Sequence, residues 1–313
     1  MIRVRSLRID YEGVTAVRDL DMHVAEGQIY GLVGPNGAGK TSTLRALAGV
    51  ISPTYGDICI DGIDLDLQPR EALGRVGFMP DFSPVYENLK VHEYLEVFAA
   101  AYFCPRRERL SRARHCVAKV RLEDKWDAMI HTLSRGMRQR LVLAKTLLHD
   151  PKVIILDEPA SGLDPMARVE MRNVLKETAL TGKTIIISSH ILTELSDLCN
   201  SVGIMEKGVM VISGSIDEIR SRMGIANELV ISISDMTSEM ALRAVDLLKT
   251  SPQLGAALEA SFGKIRFVFA GDDRDAAGLL AKLVYSGMPV TEFYLKKADV
   301  EDIFLRIGAK ETS

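Results

Sequence analysis

The octapeptide Gly34-Pro35-Asn36-Gly37-Ala38-Gly39-Lys40-Thr41 has residue types and a spacing suited to gripping a phosphate chain, because it fills G-x-x-x-x-G-K-[ST]. Ile29 to Val33 before it reads as a buried strand, and Ser42 to Leu47 after it continues as a helix. Gly34, Gly37 and Gly39 let successive backbone N–H groups, those of Asn36 and Ala38 among them, turn inward around a β-phosphate. The helix start at Lys40, Thr41 and Ser42 adds positive potential for an anion. Lys40 neutralises the β/γ-phosphates. Thr41 offers its hydroxyl to Mg²⁺. A ligand-free glycine turn would not require Lys-Thr beside its last glycine.

A second constellation follows the apolar run Val153-Ile154-Ile155-Leu156, which ends in Asp157-Glu158-Pro159. An uninterrupted apolar run fits a parallel strand covered on both faces, and such strands carry functional groups at their carboxyl ends. Asp157 is suited to hold Mg²⁺ through its water shell, and Glu158 to accept a proton from a water attacking a γ-phosphate. Without the phosphate loop, the same three residues read equally well as the cap of a turn.

Between the two lies Leu133-Ser134-Arg135-Gly136-Met137-Arg138-Gln139-Arg140, opening a helix with Met137, Leu141, Ala144 and Leu148 on one stripe. This segment resembles the signature sequence of ATP-binding-cassette (ABC) ATPases, L-S-G-G-Q followed by Q-R. The resemblance implies a head-to-tail dimer with two ATP molecules in its interface, where Ser134, Gly136 and the helix N–H groups hold the γ-phosphate bound by the other subunit. Taken alone, Ser134 is an ordinary N-cap and Arg135, Arg138 and Arg140 form a solvated basic face. Other landmarks of the family stand in order. Tyr11 resembles the aromatic that stacks on adenine. Ser161-Gly162-Leu163-Asp164 resembles the D-loop, with Asp164 at the dimer interface. His190, ending Ile185-Ile186-Ile187-Ser188-Ser189, resembles the switch histidine that contacts the γ-phosphate.

Two positions depart from the family pattern. Asp81 stands where most cassettes have the Q-loop glutamine, and an acid there can still ligate Mg²⁺ and orient water. In the signature, Arg135 and Met137 replace Gly and Gln. The sequence leaves open whether Arg135 points into solvent or adds a cation near the γ-phosphate. Both departures and the tail after the core resemble the branch that energises two-component exporters of the ABC-2 type. That resemblance implies a cytoplasmic ATPase, homodimeric or heterodimeric, on the inner face of the membrane against a separate transmembrane permease. A soluble cassette protein uncoupled from transport is the alternative.

Composition agrees with this placement. A length of 313 residues predicts two domains, 47% hydrophobic content suits a full core, and a net charge of −3 offers no broad basic field for nucleic acid. No run approaches the roughly 18 apolar residues of a spanning helix, so direct membrane insertion is not expected. Cys59, Cys104, Cys116 and Cys199 show no metal or redox spacing and read as reduced thiols.

The elements that must position these residues form a P-loop α/β core, expected over 1–214, with an antiparallel β layer (Ile2 to Ile9, Asp57 to Ile60) and a helical subdomain at about 85–150. A hairpin with Lys207-Gly208 as its turn closes this core. After a linker at 215–226, a C-terminal α+β domain is expected over 227–313, with strands at Leu229–Ile233, Ile265–Phe269 and Val290–Leu295. Helices are expected to follow at Met240–Leu248, Ala276–Val284 and Val300–Ile307. No acid pair or glycine loop appears in it, which favours dimerisation or partner contact over ligand sensing.

Overall fold

In this computed structural model the described residues are 1–191, 195, 198–216, 218, 219, 227–234, 236–249, 251–261 and 263–296. They fall into two compact units, Met1–Ser215 and Ile216–Ser313.

The first unit opens with strands β1 (Ile2–Tyr11), β2 (Val14–Val24) and β3 (Ile29–Val33), the helix α1 (Lys40–Leu47), strands β4 (Tyr55–Ile60) and β5 (Ile63–Asp64), the short α2 (Pro69–Leu73) and β6 (Val76–Met79). Helices α3 (Val91–Ala101), α4 (Arg109–Lys119) and α5 (Arg135–Leu147) come next. The unit ends with β7 (Val153–Asp157), α6 (Pro165–Leu180), β8 (Thr184–Ser189), β9 (Ser201–Glu206) and β10 (Val209–Ser215). The last two strands form a hairpin on Lys207-Gly208, whose φ values of 48° and 82° are those of a two-residue turn matched to strand twist.

Strands β1, β2, β4 and β5 form an antiparallel sheet in the order β2-β1-β4-β5, with Ile2, Val4, Leu7 and Ile9 pointing inward. The other sheet runs β10-β9-β3-β8-β7-β6 and is parallel from β9 to β6. Its central strands β3, β7 and β8 are buried at every position, which is why their sequences are apolar without alternation. One core joins the two sheets through α1, with Leu44 and Leu47 packed among Leu7, Leu20, Leu32, Ile155 and Ile186. The register aligns the carboxyl ends: Val33 pairs with Ser189, Asp157 with Ser188, and Met79 with Leu156. Whatever follows β3, β6, β7 and β8 therefore emerges on one edge.

The helical segment packs as its stripes require. Val91, Tyr94, Leu95 and Ala99 of α3 are buried, and Phe98 lies against Tyr86 and Tyr94. Of the three arginines that, taken alone, read as a solvated basic face on α5, Arg140 is buried. Arg140 is 6% exposed, its Nη1 donating to the carbonyls of Val120 (3.0 Å) and Arg121 (3.1 Å) and its Nη2 standing 3.0 Å from Glu170. An arginine stem reads as surface in a helical pattern, but its guanidinium can satisfy backbone carbonyls inside. The cysteines are free thiols, and burial pushes Cys116 up to about 11 and Cys199 to about 12, which leaves them inert.

The span expected as a linker begins with Ser215 closing β10 and helical residues at 216, 218 and 219, Ile219 being fully buried; 220–226 lie outside the described residues. The second unit contains β11 (Asn227–Ile233), α7 (Ser238–Leu248), β12 (Leu254–Ser261), β13 (Lys264–Phe269), α8 (Asp273–Tyr285) and β14 (Val290–Lys296). The sheet order is β12-β13-β11-β14, the split βαβ arrangement. Strand β12 is not marked by the sequence pattern: its Gly255, Ala256, Ala257 and Ala260 carry little strand propensity, and among the described residues it pairs with β13 alone, through two register shifts. The expected helix at Val300–Ile307 lies outside the described residues. Leu229, Ile231, Ile265, Phe267 and Phe269 of the sheet pack with Ala244, Leu248, Leu279 and Leu283 of the helices. With Phe267 2% exposed, Phe267→Ala is expected to destabilise this unit by about 3–5 kcal/mol. Urea unfolding followed by circular dichroism checks it; a loss below about 1 kcal/mol would contradict the packing described.

Candidate active site

The phosphate loop connects β3 to α1 and is closed by Gly39, at φ 100°, which occupies the N-cap position of α1. No side chain fits at Gly39, since a Cβ would come within 2.5 Å of the Ala16 carbonyl. Lys40 folds back over the loop. Its Nζ donates to the carbonyls of Gly34 (2.7 Å) and Pro35 (3.2 Å) and lies 3.8 Å from Glu158 Oε1. Burial pushes the Lys40 ammonium below the ordinary lysine value, and the Glu158 and Asp157 carboxylates recover part of that shift.

The acids arrive from β7. Asp157 is 1% exposed, and its Oδ1 accepts from Thr41 Oγ1 (3.2 Å) and Ser188 Oγ (2.6 Å). Ser188 Oγ in turn accepts the Glu158 amide at 2.9 Å. Glu158 sits at φ 49°, a left-handed backbone that glutamate rarely adopts, and its Oε2 lies 2.8 Å from Nδ1 of His190. With the carboxylate ionised, the imidazole N–H donates. Burial raises the Glu158 carboxyl above the usual carboxylate range, opposed by the hydrogen bond from His190 and by the charge of Lys40. A carboxylate made more basic in this way is a better proton acceptor.

These groups bound an open cleft of about 490 Å³ lined by Val14 to Ala16, Asn36 to Ser42, Asp81, Glu158, Ser161 and His190. Asp157 lies beneath it, bonded to Thr41. Gly34 contributes its carbonyl to Lys40 instead of lining the cleft. Tyr11 stands beside the cleft, 45% exposed, its hydroxyl 3.3 Å from Ser42 Oγ. Ser134, Gly136 and Asp164 are not brought into this cleft. Ser134 and Asp164 cap α5 and α6, accepting the amides of Met137 (3.3 Å) and Ala167 (2.9 Å). Gly136 is buried, and a Cβ there would meet that of Ala167 at 2.6 Å.

Among the described residues, no group of three or more His, Cys, Asp and Glu side chains is placed to hold a metal ion. The oxygen donors present, one hydroxyl bonded to one buried carboxylate with Asp81 also lining the cleft, suit a hard cation that takes its remaining ligands from phosphate and water, as Mg²⁺ does.

The model of the ABC transporter family matches residues 17–161, taking in the phosphate loop, Asp81, the signature segment and both acids. Nod factor export ATP-binding protein I of Ralstonia nicotianae is 33% identical over 314 residues, spanning 99% of this chain and 94% of that protein. The chain belongs to the ABC transporter ATP-binding family. Among solved structures, an ATP-binding subunit of an ABC transporter is similar with a TM-score of 0.64 and 30% identity, over 72% of this chain and 94% of that one. So is cbiO1 from Clostridium perfringens, part of the ABC transporter complex cbiONQ, with a TM-score of 0.64 and 26% identity over 79% and 94%. The chain is thus an ABC ATPase, and its nucleotide is ATP.

Ser188 is the site residue of this ABC ATPase that motif reading passes over. Its one sequence signal is a hydroxyl at the end of an apolar run, at a fully buried position of β8. Ser188→Ala strips Asp157 of a donor and leaves the Glu158 amide unpaired, so turnover is expected to fall about tenfold or more with ATP affinity in EDTA unchanged. Steady-state ATPase assays and fluorescent nucleotide titration check this. Parent-level turnover would mean that the two acids hold their positions without the hydroxyl.

Proposed function

We propose that this ABC ATPase hydrolyses Mg-ATP in the cleft above β3, β7 and β8 and passes the resulting conformational change to a separate membrane permease, as an exporter. The observation that carries the reading is the continuous network Thr41–Asp157–Ser188–Glu158–His190, with Lys40 beside it, at the carboxyl edge of the parallel sheet. Lys40 and the amides of Asn36 to Ser42 bind the phosphates, and Tyr11 stacks on adenine. Thr41, Asp157 and Asp81 are the residues that would hold Mg²⁺, which when bound neutralises charge on the phosphate oxygens. Glu158 takes the proton of the attacking water while that oxygen bonds to the γ-phosphorus and the bond from the γ-phosphorus to the β,γ-bridging oxygen breaks, so that ADP leaves with the bridging oxygen. His190 orients Glu158 and reaches toward the same phosphate. Mutual placement of these groups does the catalytic work, since phosphoryl transfer asks the protein for positioning and charge stabilisation.

Ser134, Gly136 and Asp164 act across a head-to-tail dimer, identical or mixed. Two features support this. The Ser134 hydroxyl uses a lone pair to cap α5, which leaves its proton free for a partner's phosphate oxygen, and among the described residues none of the three lines the nucleotide cleft of its own chain. The relatives' printed role in Nod factor export supports the direction of transport, and the presence of cbiO1 in a larger complex supports a separate permease. No helix among the described residues is long and apolar enough to cross a membrane, which agrees with a peripheral position on the cytoplasmic face.

Glu158→Gln keeps the phosphate contacts and removes the proton acceptor. It is expected to bind ATP normally, stop turnover and sediment as an ATP-dependent dimer, whereas Lys40→Ala loses ATP binding. A Glu158→Gln chain that hydrolyses ATP at the parent rate would refute the assigned base. Because Glu158 must be ionised and burial raises its pKa, kcat is expected to be lost as pH falls through a point above the ordinary glutamate value of 4.5. An acid limb at or below 4.5 in the pH–rate profile would show that Glu158 does not govern it.

A further inference from the structure

Arg135, which replaces a signature glycine, is exposed, yet its guanidinium turns back onto its own chain and does not line that chain's cleft. It is the first residue of α5, and its Nη2 donates to the Ser161 carbonyl at 3.1 Å. Gly162 makes this fit possible: it adopts φ 65°, and a Cβ there would come within 2.5 Å of Arg135 Cζ and Nη2 and 2.6 Å of Nη1, so the guanidinium lies flat on the glycine backbone. The clamped turn is the one that leaves Glu158. The Ser161 amide donates to the Glu158 carbonyl at 3.0 Å, Leu163 N–H to Ala160 at 3.3 Å, and Ser161 lines the cleft. One residue further along, Gly136 lets α5 touch α6 at Ala167. A short path of contacts thus joins the Ser134 cap to the backbone of the catalytic glutamate, although the two belong to segments that begin 24 residues apart (158 − 134).

We infer that Arg135 is a positioning residue: by holding the Ser161 carbonyl over Gly162 it fixes the turn after Glu158, so that the segment addressing the partner's ATP and the base acting on the chain's own ATP move together. The clamp is a neutral-acceptor hydrogen bond and not a phosphate contact, so it acts on turnover and not on nucleotide affinity. Its coupling role rests on the dimer proposed above.

The experiment uses the full chain with Arg135→Ala and Arg135→Lys, each alone and with Glu158→Gln. Arg135→Ala is expected to lower kcat about fivefold, the loss of one exposed hydrogen bond, with KM for ATP unchanged; Arg135→Lys, which keeps a donor, recovers most of it. In the nucleotide-free chain, amide hydrogen exchange across 160–163 should quicken in Arg135→Ala and not in Arg135→Lys. ATP-dependent sedimentation of Arg135→Ala/Glu158→Gln as a dimer should match Glu158→Gln alone. A raised KM with unchanged kcat, or a weakened ATP-bound dimer, would make the guanidinium a phosphate ligand and overturn the clamp. Unchanged kcat and exchange in Arg135→Ala would overturn it equally. If Glu158→Gln itself forms no ATP-dependent dimer, the dimer reading fails and the coupling with it, while the kcat and exchange measurements still decide the clamp within one chain.

Discussion

A lysine ammonium with 6% of its side chain exposed has to be solvated by the protein, and the first unit is arranged around that requirement at Lys40. Taking an ion out of water costs several kcal/mol even after relaxation. A charge-assisted hydrogen bond returns about 1.5–3 kcal/mol. The carbonyls of Gly34 and Pro35 supply two such bonds, and the Glu158 carboxylate at 3.8 Å supplies Coulomb attraction. The loop must therefore curl so that its first carbonyls face the lysine, which only a left-handed residue at Gly39 permits before α1 begins. The partial balance leaves Lys40 with a depressed pKa and capacity for further negative charge, the condition expected of a phosphate site awaiting its anion.

The acids meet this demand from a different strand, and parallel topology is what delivers them. Because β3, β8 and β7 are neighbours in register, the ends Val33, Ser189, Ser188 and Asp157 lie side by side. Two hydroxyls from separate elements then share Asp157, one from α1 and one from β8. In a buried network each bond polarises the next, and an unpaired member is costly, so Thr41, Asp157 and Ser188 hold one another's rotamers. The Ser188 hydroxyl is used in both senses, donating to one acid and accepting from the amide of the next. That second bond stabilises Glu158 in a backbone conformation costing about 1–3 kcal/mol. The strained residue is the one whose carboxylate has to leave the strand and face the cleft.

Most of this was legible in the sequence where chemistry imposes a residue type at a spacing. The loop Gly34 to Thr41, the pair Asp157-Glu158 and the run ending at His190 each combine an apolar strand with functional groups at its end, and the structure gathers Lys40, Thr41, Asp81, Glu158 and His190 around one cleft. What escaped was decided by tertiary context. Ser188 looks like one more small residue until β7 lies beside it. Arg140 sits in a helical pattern as a surface cation, yet it faces the carbonyls that end α4. Strand β12 is built from glycine and alanine, and only pairing with β13 selects an extended chain there. Val14 to Ala16, at the start of β2, also line the cleft, although in the sequence only the neighbouring Tyr11 marks that stretch.

The three arginines of the signature helix divide the possible movements of that helix by their strength of attachment. Arg140 is buried with three partners, so parting α5 from the end of α4 and from α6 would strand a desolvated cation. Arg138 bonds the carbonyls of Leu133 and His131 and, at 2.7 Å, the half-exposed Glu87 on the segment that follows Asp81. Its pair with Glu87 is a surface ion pair worth about 0–1 kcal/mol. Arg135 holds the turn after Glu158 by one exposed bond. Any displacement of the signature segment is therefore expected to break the contacts of Arg138 with Glu87 and of Arg135 with Ser161 first, while α5 stays joined to α6. One of these weak links ties α5 to the segment that follows Asp81 and the other ties it to the turn that follows Glu158, so a modest change in the helix is felt at both segments without unfolding anything between them.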